Sequence, residues 1–145
     1  MTIQELEQRV QELRSELGVT YRWLQDHGLA INSIMKIHHG ENYRMATLFK
    51  YVENLFYVIE VDGVVVPDLP ALGVVLREKR KELGYNTIQM QSKLVWTMHQ
   101  LLQVEKGRGY NKSSLLAYLE IVPVDFQIKN LMDISEEDRK KMFNL

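Results

Sequence analysis

The stretch LGVVLREKRKELGYNTIQMQSKLVWTMHQLLQVEKGRGYNKSSLLAYLEIV, residues 72–122, decides the fold. Leu72, Leu76 and Leu83 fall on one helical stripe, and Gly84 is placed to end it. Asn86 caps a second helix running to about Lys93, and Thr97 caps a third running to about Glu105. After Gly107-Arg108-Gly109, Asn111 caps a fourth through about Glu120. Short helices joined by tight turns in this order read as a helix-turn-helix unit.

The same text occurs earlier in the chain, 66 to 67 residues upstream. Leu6, Val10, Leu17-Gly18 and Leu24 precede Leu72, Leu76, Leu83-Gly84 and Met90 at the shorter offset. Ile34, Ile37, Gly40, Tyr43, Leu48, Tyr51 and Glu53 precede Leu101, Val104, Gly107, Tyr110, Leu115, Tyr118 and Glu120 at the longer one. A repeat of this length, present twice, signals duplication of a small domain rather than a solenoid. In the first copy the pattern predicts helices over 3–17, from the Thr20 cap to His27, over 30–38 and over 45–55. Gly28 serves the tight turn between the second and third.

Between the copies the period changes. Phe56 to Val61, then Asp62-Gly63, then Val64-Val65-Val66 reads as a β-hairpin with a two-residue turn. Pro67 and Pro70 bound a linker over 67–70. Residues 122–128 form a second strand-like run, expected to pair with the hairpin and tie the copies together. Ser135, with Glu136, Glu137 and Asp138 before Lys140-Lys141, opens a short last helix charged as the helix dipole prefers. The expected organisation is a first unit over 1–66, the linker, a second unit over 71–131 and a tail over 132–145. The fold class is mainly α, with two tandem helix-turn-helix units packed as a pseudo-dimer around a small β-element.

Composition narrows the function classes. The chain has 145 residues, 46% hydrophobic, so two units of this size must share an interface to be stable. It has no cysteine, which excludes thiolate metal sites and disulfides and fits a reducing cytoplasm. The N-terminal MTIQELEQRVQELRSEL is charged throughout, unlike a secretion signal, and no run approaches the roughly 18 apolar residues of a membrane span. Net charge is −1, yet residues 1–60 carry 6 basic and 8 acidic side chains whereas 71–131 carry 9 and 5. The second unit therefore has the charge that favours a phosphate backbone.

The second unit resembles the Cro/C1 (Xre-type) helix-turn-helix family, whose pattern runs LGxxLRxxRxxxGLSQxxLAxxLGVSxxTISxxExG. Leu72-Gly73, Leu76-Arg77, Arg80, Gly84, Met90, Leu94, Leu101, Val104 and Glu105-Lys106-Gly107 stand at the matching offsets. The first unit is a fainter copy, one residue shorter between Gly18 and Gly40, with His38-His39-Gly40 where Glu-x-Gly is usual. Tyr21 and Thr87 replace the family's Gln, Gln25 and Gln91 replace its small Ala, and Val95 replaces the turn Gly that the first unit keeps as Gly28. The resemblance implies lambda-repressor-like units and a sequence-selective transcriptional regulator of bacterial or phage type, tuning a promoter without a cofactor.

On that resemblance, helix 97–105 enters the major groove and offers Thr97, Met98, His99, Gln100 and Gln103 to base edges. Gln is able to bond adenine bidentately, and a Thr or Met methyl to touch thymine. Lys93, Lys106, Arg108 and Lys112 would hold phosphates at the ends of the helix, with Thr87 at the start of the preceding one. The first unit offers Asn32, Ser33 and Lys36, with Asn32 as an adenine reader. Two units related by a twofold would set their reading helices about 34 Å apart along the duplex.

A reading from a different class stands beside this one. The helix-turn-helix scaffold also serves as a protein–protein interaction module, and the acidic first unit and the replaced family positions favour that use. The Val-rich ribbon has an open edge that invites pairing with a second copy or another protein. Trp23 and Trp96 read as packing residues. His38 and His39, neighbours about 100° apart on a helix, do not face one ion, and with His27 and His99 they form no ligand pattern. Gly107-Arg108-Gly109 follows a helix rather than a strand, so it is not a dinucleotide loop. Neither metal binding nor enzymatic activity is expected.

Overall fold

The computed structural model describes residues 1–143, and it is mainly helical with one small antiparallel sheet. Four helices fill the first half: α1 (Ile3–Glu16), α2 (Tyr21–Asp26), α3 (Ile31–His38) and α4 (Met45–Asn54). A hairpin follows, β1 (Tyr57–Val61) and β2 (Val64–Val66). Four more helices run in the same order: α5 (Leu69–Glu82), α6 (Thr87–Leu94), α7 (Met98–Glu105) and α8 (Lys112–Ile121). The chain then adds β3 (Phe126–Asn130), a 3-10 turn (Leu131–Asp133) and α9 (Glu136–Phe143).

Local chemistry sets the boundaries. Thr2, Thr20, Asn86 and Thr97 each accept a backbone N–H with their side chains at the start of a helix. α5 begins two residues earlier than its apolar spacing alone predicts. The Asp68 carboxylate accepts from Ala71 N at 3.0 Å, and Pro70 sits in the first turn, where its missing N–H costs nothing. The expected linker 67–70 is therefore largely helix, and its length falls to Pro67 and the capping Asp68. Asn111 also departs from expectation: it occupies the cap position of α8, but its side chain makes no cap bond. The amide of Ser113 is capped instead by Asn42 Oδ1, 3.0 Å away and from the other half of the chain.

Asp62 and Gly63 both hold positive φ, 47° and 83°, as the expected two-residue hairpin turn requires. The strand order is β2-β1-β3, with Ile59 opposite Val66 on one side and opposite Ile128 on the other. The run after α8 thus joins the hairpin, and five residue pairs from Tyr57↔Asn130 to Val61↔Phe126 connect the halves.

One continuous core spans both halves, with Leu6, Leu24, Ile34, Leu48 and Tyr51 from the first and Leu72, Met90, Leu101, Leu115 and Tyr118 from the second. Between them the loops before α4 and α8 lie antiparallel. Met45 N donates to Tyr110 O at 3.0 Å and Lys112 N donates to Tyr43 O at 2.8 Å, with Arg44 opposite Asn111. In the repeat, Tyr43 corresponds to Tyr110 and Met45 to Lys112. Residue i of one half bonds residue j of the other, and the equivalent of j bonds the equivalent of i. The antiparallel bridge thus joins equivalent positions of the repeat.

Candidate nucleic-acid interface

The second half presents α6 and α7 as a packed pair whose starts are both closed by reciprocal caps. Asn86 Oδ1 accepts from Gln89 N, and Gln89 Oε1 accepts from Asn86 N, each at 2.8 Å. At α7, Thr97 Oγ1 accepts from Gln100 N at 3.2 Å, and Gln100 Oε1 accepts from Thr97 N at 2.9 Å. Thr97, Met98 and His99 are exposed and Gln103 is half-buried. Gln100 is exposed, but its carbonyl oxygen is committed to the cap. Its amide N–H groups stay free, while the carbonyl is held in place by the cap bond.

Behind α7 lies a buried polar cluster. Arg80 Nε and an Nη donate to the two oxygens of Glu105 at 2.7 and 3.0 Å, and the Tyr118 hydroxyl donates to Glu105 at 2.7 Å. A second Nη of Arg80 donates to Tyr85 O at 2.7 Å. The paired Glu105 holds the Arg80 guanidinium further above its usual range, and burial beside that carboxylate drives the Tyr118 phenol far up. This bidentate pair clamps α5, α7 and α8 together. Gly73 permits the approach, since a Cβ there would lie 2.3 Å from Glu105 O.

The first half repeats the cluster with one member changed. Arg14 donates to Val19 O at 2.9 Å, the counterpart of Arg80 to Tyr85, and His38 is hydrogen-bonded to the Tyr51 hydroxyl at 2.8 Å. His38 stands where Glu105 stands in the second half, and Arg14 Nε is left buried without a partner. Burial, then the Arg14 charge, lowers the His38 pKa to about 4, so the ring is neutral near pH 7.

Of the phosphate candidates, Lys93, Lys106 and Arg108 are exposed, Lys106 at the C-cap of α7 and Arg108 in the loop beyond it. Lys93 Nζ lies 5.0 Å from the centre of the Tyr85 ring. Thr87 is half-buried at the first position of α6. Lys112 is a correction. It is only 8% exposed, and its Nζ sits 2.9 and 3.2 Å from the two oxygens of Glu7, with Gly40 O at 3.1 Å. It fastens α8 to α1 and does not reach solvent as a phosphate partner; the reason is the twofold packing, which brings Glu7 of the other half against it. In the repeat the same two positions are Gly73 and Met45.

In the first half Asn32 and Lys36 are exposed on α3 and Ser33 is half-buried. Two cations missed in the sequence belong beside them. Arg22 is the second residue of α2, and Arg44 lies at the twofold bridge itself. Their repeat equivalents are Ile88 and Asn111, so transferring roles from the second unit to the first passes over both. Among the described residues, no carboxylate comes within ion-pair distance of Arg22, Lys36, Arg44, Lys93, Lys106 or Arg108. Arg9, Lys129, Lys140 and Lys141, on α1, β3 and α9, are paired, whereas among the described residues Lys50, Arg77, Lys81 and Arg139 also have no carboxylate within that distance.

The same surface also carries apolar side chains: Ile88 is 73% and Val95 88% exposed. Val95 ends α6 in the left-handed region, φ 56°, which is strained for a β-branched residue. Trp23 stacks on His27 with ring centres 3.7 Å apart, and both tryptophans pack half-buried against the core. No group of three or more His, Asp or Glu side chains arranged to hold a metal is found among the described residues, and no described helix is long and apolar enough to cross a membrane. Comparison of the chain with protein-family models, with curated proteins and with solved structures gives no match.

Proposed function

We propose that this protein is a sequence-selective, double-stranded-DNA-binding transcriptional regulator of the Cro/C1 type, built from two tandem helix-turn-helix units and reading the major groove chiefly through α7. The observation that carries the proposal is the distribution of cations without carboxylate partners. Among the described residues, Arg22, Lys36, Arg44, Lys93, Lys106 and Arg108 are all unpaired and stand on α2, α3, α6 and the segments that follow α3 and α7; Lys50, Arg77, Lys81 and Arg139 are unpaired too, so what distinguishes the first set is its place on the helix-turn-helix segments. Unneutralised Lys and Arg beside an exposed helix N-terminus are what phosphate contacts need. Met98 and His99 at the start of α7, with Gln103 one turn on, supply the base-edge chemistry. Lys93 before α7, and Lys106 and Arg108 after it, hold the backbone.

Retardation of a random duplex at low salt tests this directly. Binding is expected, with an affinity that falls steeply as salt rises, and Lys106→Ala with Arg108→Ala should reduce the salt slope by about two. Failure to bind at low salt, where phosphate attraction is strongest, removes the proposal.

The second reading is a protein–protein interaction module on the same scaffold. The exposed Ile88 and Val95 beside α7 favour it, because phosphate contacts do not use aliphatic side chains. Its signature would be binding that is insensitive to salt and lost on Ile88→Lys.

A further inference from the structure

The twofold bridge places two reading heads in one chain, and the heads are not alike. Tyr43 O, Met45 N, Tyr110 O and Lys112 N bond reciprocally at the segments that follow α3 and α7, joining equivalent positions of the two halves. The frame is stiff. The buried Lys112–Glu7 pair, the β1–β3 ladder and the cap given by Asn42 to Ser113 all cross between the halves. In a symmetric dimer, identical heads on a twofold axis demand a palindromic operator. Here the equivalent positions differ: Asn32 and His99 are both exposed, and exposed Lys36 corresponds to half-buried Gln103.

Resting on the DNA-binding reading above, we infer that a single chain recognises a non-palindromic duplex, one arm per helix pair, with guanine opposite Lys36 and adenine opposite Gln103. Lysine donates to the O6 and N7 acceptors that guanine shows in the major groove, whereas glutamine matches the N6 donor and N7 acceptor of adenine. Both side chains sit at the same repeat position, so the two arms share a centre and spacing but diverge in sequence. Because the heads are preset by the fold, no second chain is needed to fill the site, and the ordering cost of dimerisation is absent.

Selection from a pool of randomised duplexes, with the full chain and with its Lys36→Gln variant, tests the inference. Lys36 is exposed, so the variant keeps its fold. The wild-type chain should enrich one element with two unlike arms about one helical turn apart, and sedimentation should give one chain per duplex. Lys36→Gln should switch the guanine of the first arm to adenine, with a preference change of about tenfold or more, and make the arms more alike. A palindrome bound by two chains, a single arm without its partner, or arms unaltered by Lys36→Gln would each overturn the inference while leaving DNA binding intact. Enrichment of nothing at all would instead remove the DNA-binding reading beneath it.

Discussion

Replacing His38 with Glu should stabilise the protein, because it installs in the first half the ion pair that the second half already has. In the second half Glu105 accepts two bonds from Arg80 and one from Tyr118. In the first, Arg14 and Tyr51 stand at the equivalent positions, and Arg14 Nε is buried with nothing to bond. A buried unsatisfied donor costs about 1–3 kcal/mol, and a charge-assisted bond contributes about 1.5–3 kcal/mol. Desolvating the new carboxylate works against both, by several kcal/mol in a fully dry site. Arg14 is only half-buried, so this opposing term is reduced. The net expectation is a gain of about 1–2 kcal/mol, or about 3–7 °C in Tm for a chain of this size.

The pH dependence makes the argument stricter. His38 has a pKa of about 4 in the folded chain against 6.5 for the free ring. Between those values the unfolded chain takes up a proton that the native site refuses. The contribution of the neutral ring is therefore complete above about pH 6.5 and is lost as pH falls toward 4. His38→Glu removes that loss, and a carboxylate paired with Arg14 stays ionised through the same window. Thermal unfolding followed by circular dichroism at pH 7, 6 and 5 should show the margin of the variant over wild type widening as pH falls. A variant that is less stable at pH 7, or a margin that shrinks toward pH 5, would refute the equivalence of the two clusters.

Three other perturbations probe the frame. Val95→Gly should raise stability by about 1 kcal/mol in urea unfolding, since the exposed side chain loses no packing and the left-handed backbone at 56° no longer strains a β-branched residue. Gly107→Ala should destabilise by at least about 3 kcal/mol, because its φ is 67° and its Cβ would lie 2.2 Å from Pro70 N; Gly40→Ala, at φ 68° with open space around it, should cost only about 1 kcal/mol in the same assay. Lys112→Met should cost about 3–5 kcal/mol by stranding Glu7, and the double change with Glu7→Leu should recover most of it. If DNA binding is observed, its salt slope should be unchanged in that double variant, as expected for a cation that holds the halves together rather than a phosphate.

The helices were legible because their signals are local. Leu6, Val10 and Leu13 lie on one face of α1, Thr20, Asn86 and Thr97 cap as their side chains allow, and Asp62-Gly63 adopts the turn its residue types favour. What escaped depends on the packing of one half on the other. Lys112 reads as a surface cation by position, and only the approach of Glu7, 105 residues earlier, turns it inward. Asn111 reads as a cap, but its neighbours Tyr110 and Lys112 are bonded to Met45 and Tyr43, and the cap is delivered by Asn42. Gln100 fits the capping pattern S/T-x-x-E/Q as well as it fits base reading, and the cap takes its carbonyl. Leu69-Pro70 reads as part of the linker bounded by Pro67 and Pro70, although the first turn of a helix accepts Pro70. The repeat itself held a sharper signal for the clusters: Arg14, His38 and Tyr51 align with Arg80, Glu105 and Tyr118, so one acid is missing on paper.

The two halves have diverged most where divergence is least expensive. The twofold is carried by main-chain bonds at Tyr43, Met45, Tyr110 and Lys112, and by the β1–β3 ladder. Backbone donors and acceptors are the same for every residue but proline, so these contacts survive changes of side chain. That freedom shows at the axis itself, where Met45 and Lys112 occupy equivalent places, the first in the apolar core and the second in an ion pair. It also lets Glu7, paired with Lys112, stand where the other half needs Gly73 for the close approach of Glu105. Main-chain bonds at these positions leave Lys36 and Gln103, or Asn32 and His99, free to differ between the halves. An ordinary homodimer has no such latitude, because every substitution appears on both sides of its axis. In the proposed DNA-binding function, holding both halves in one chain would separate the geometry of α3 and α7 from their chemistry.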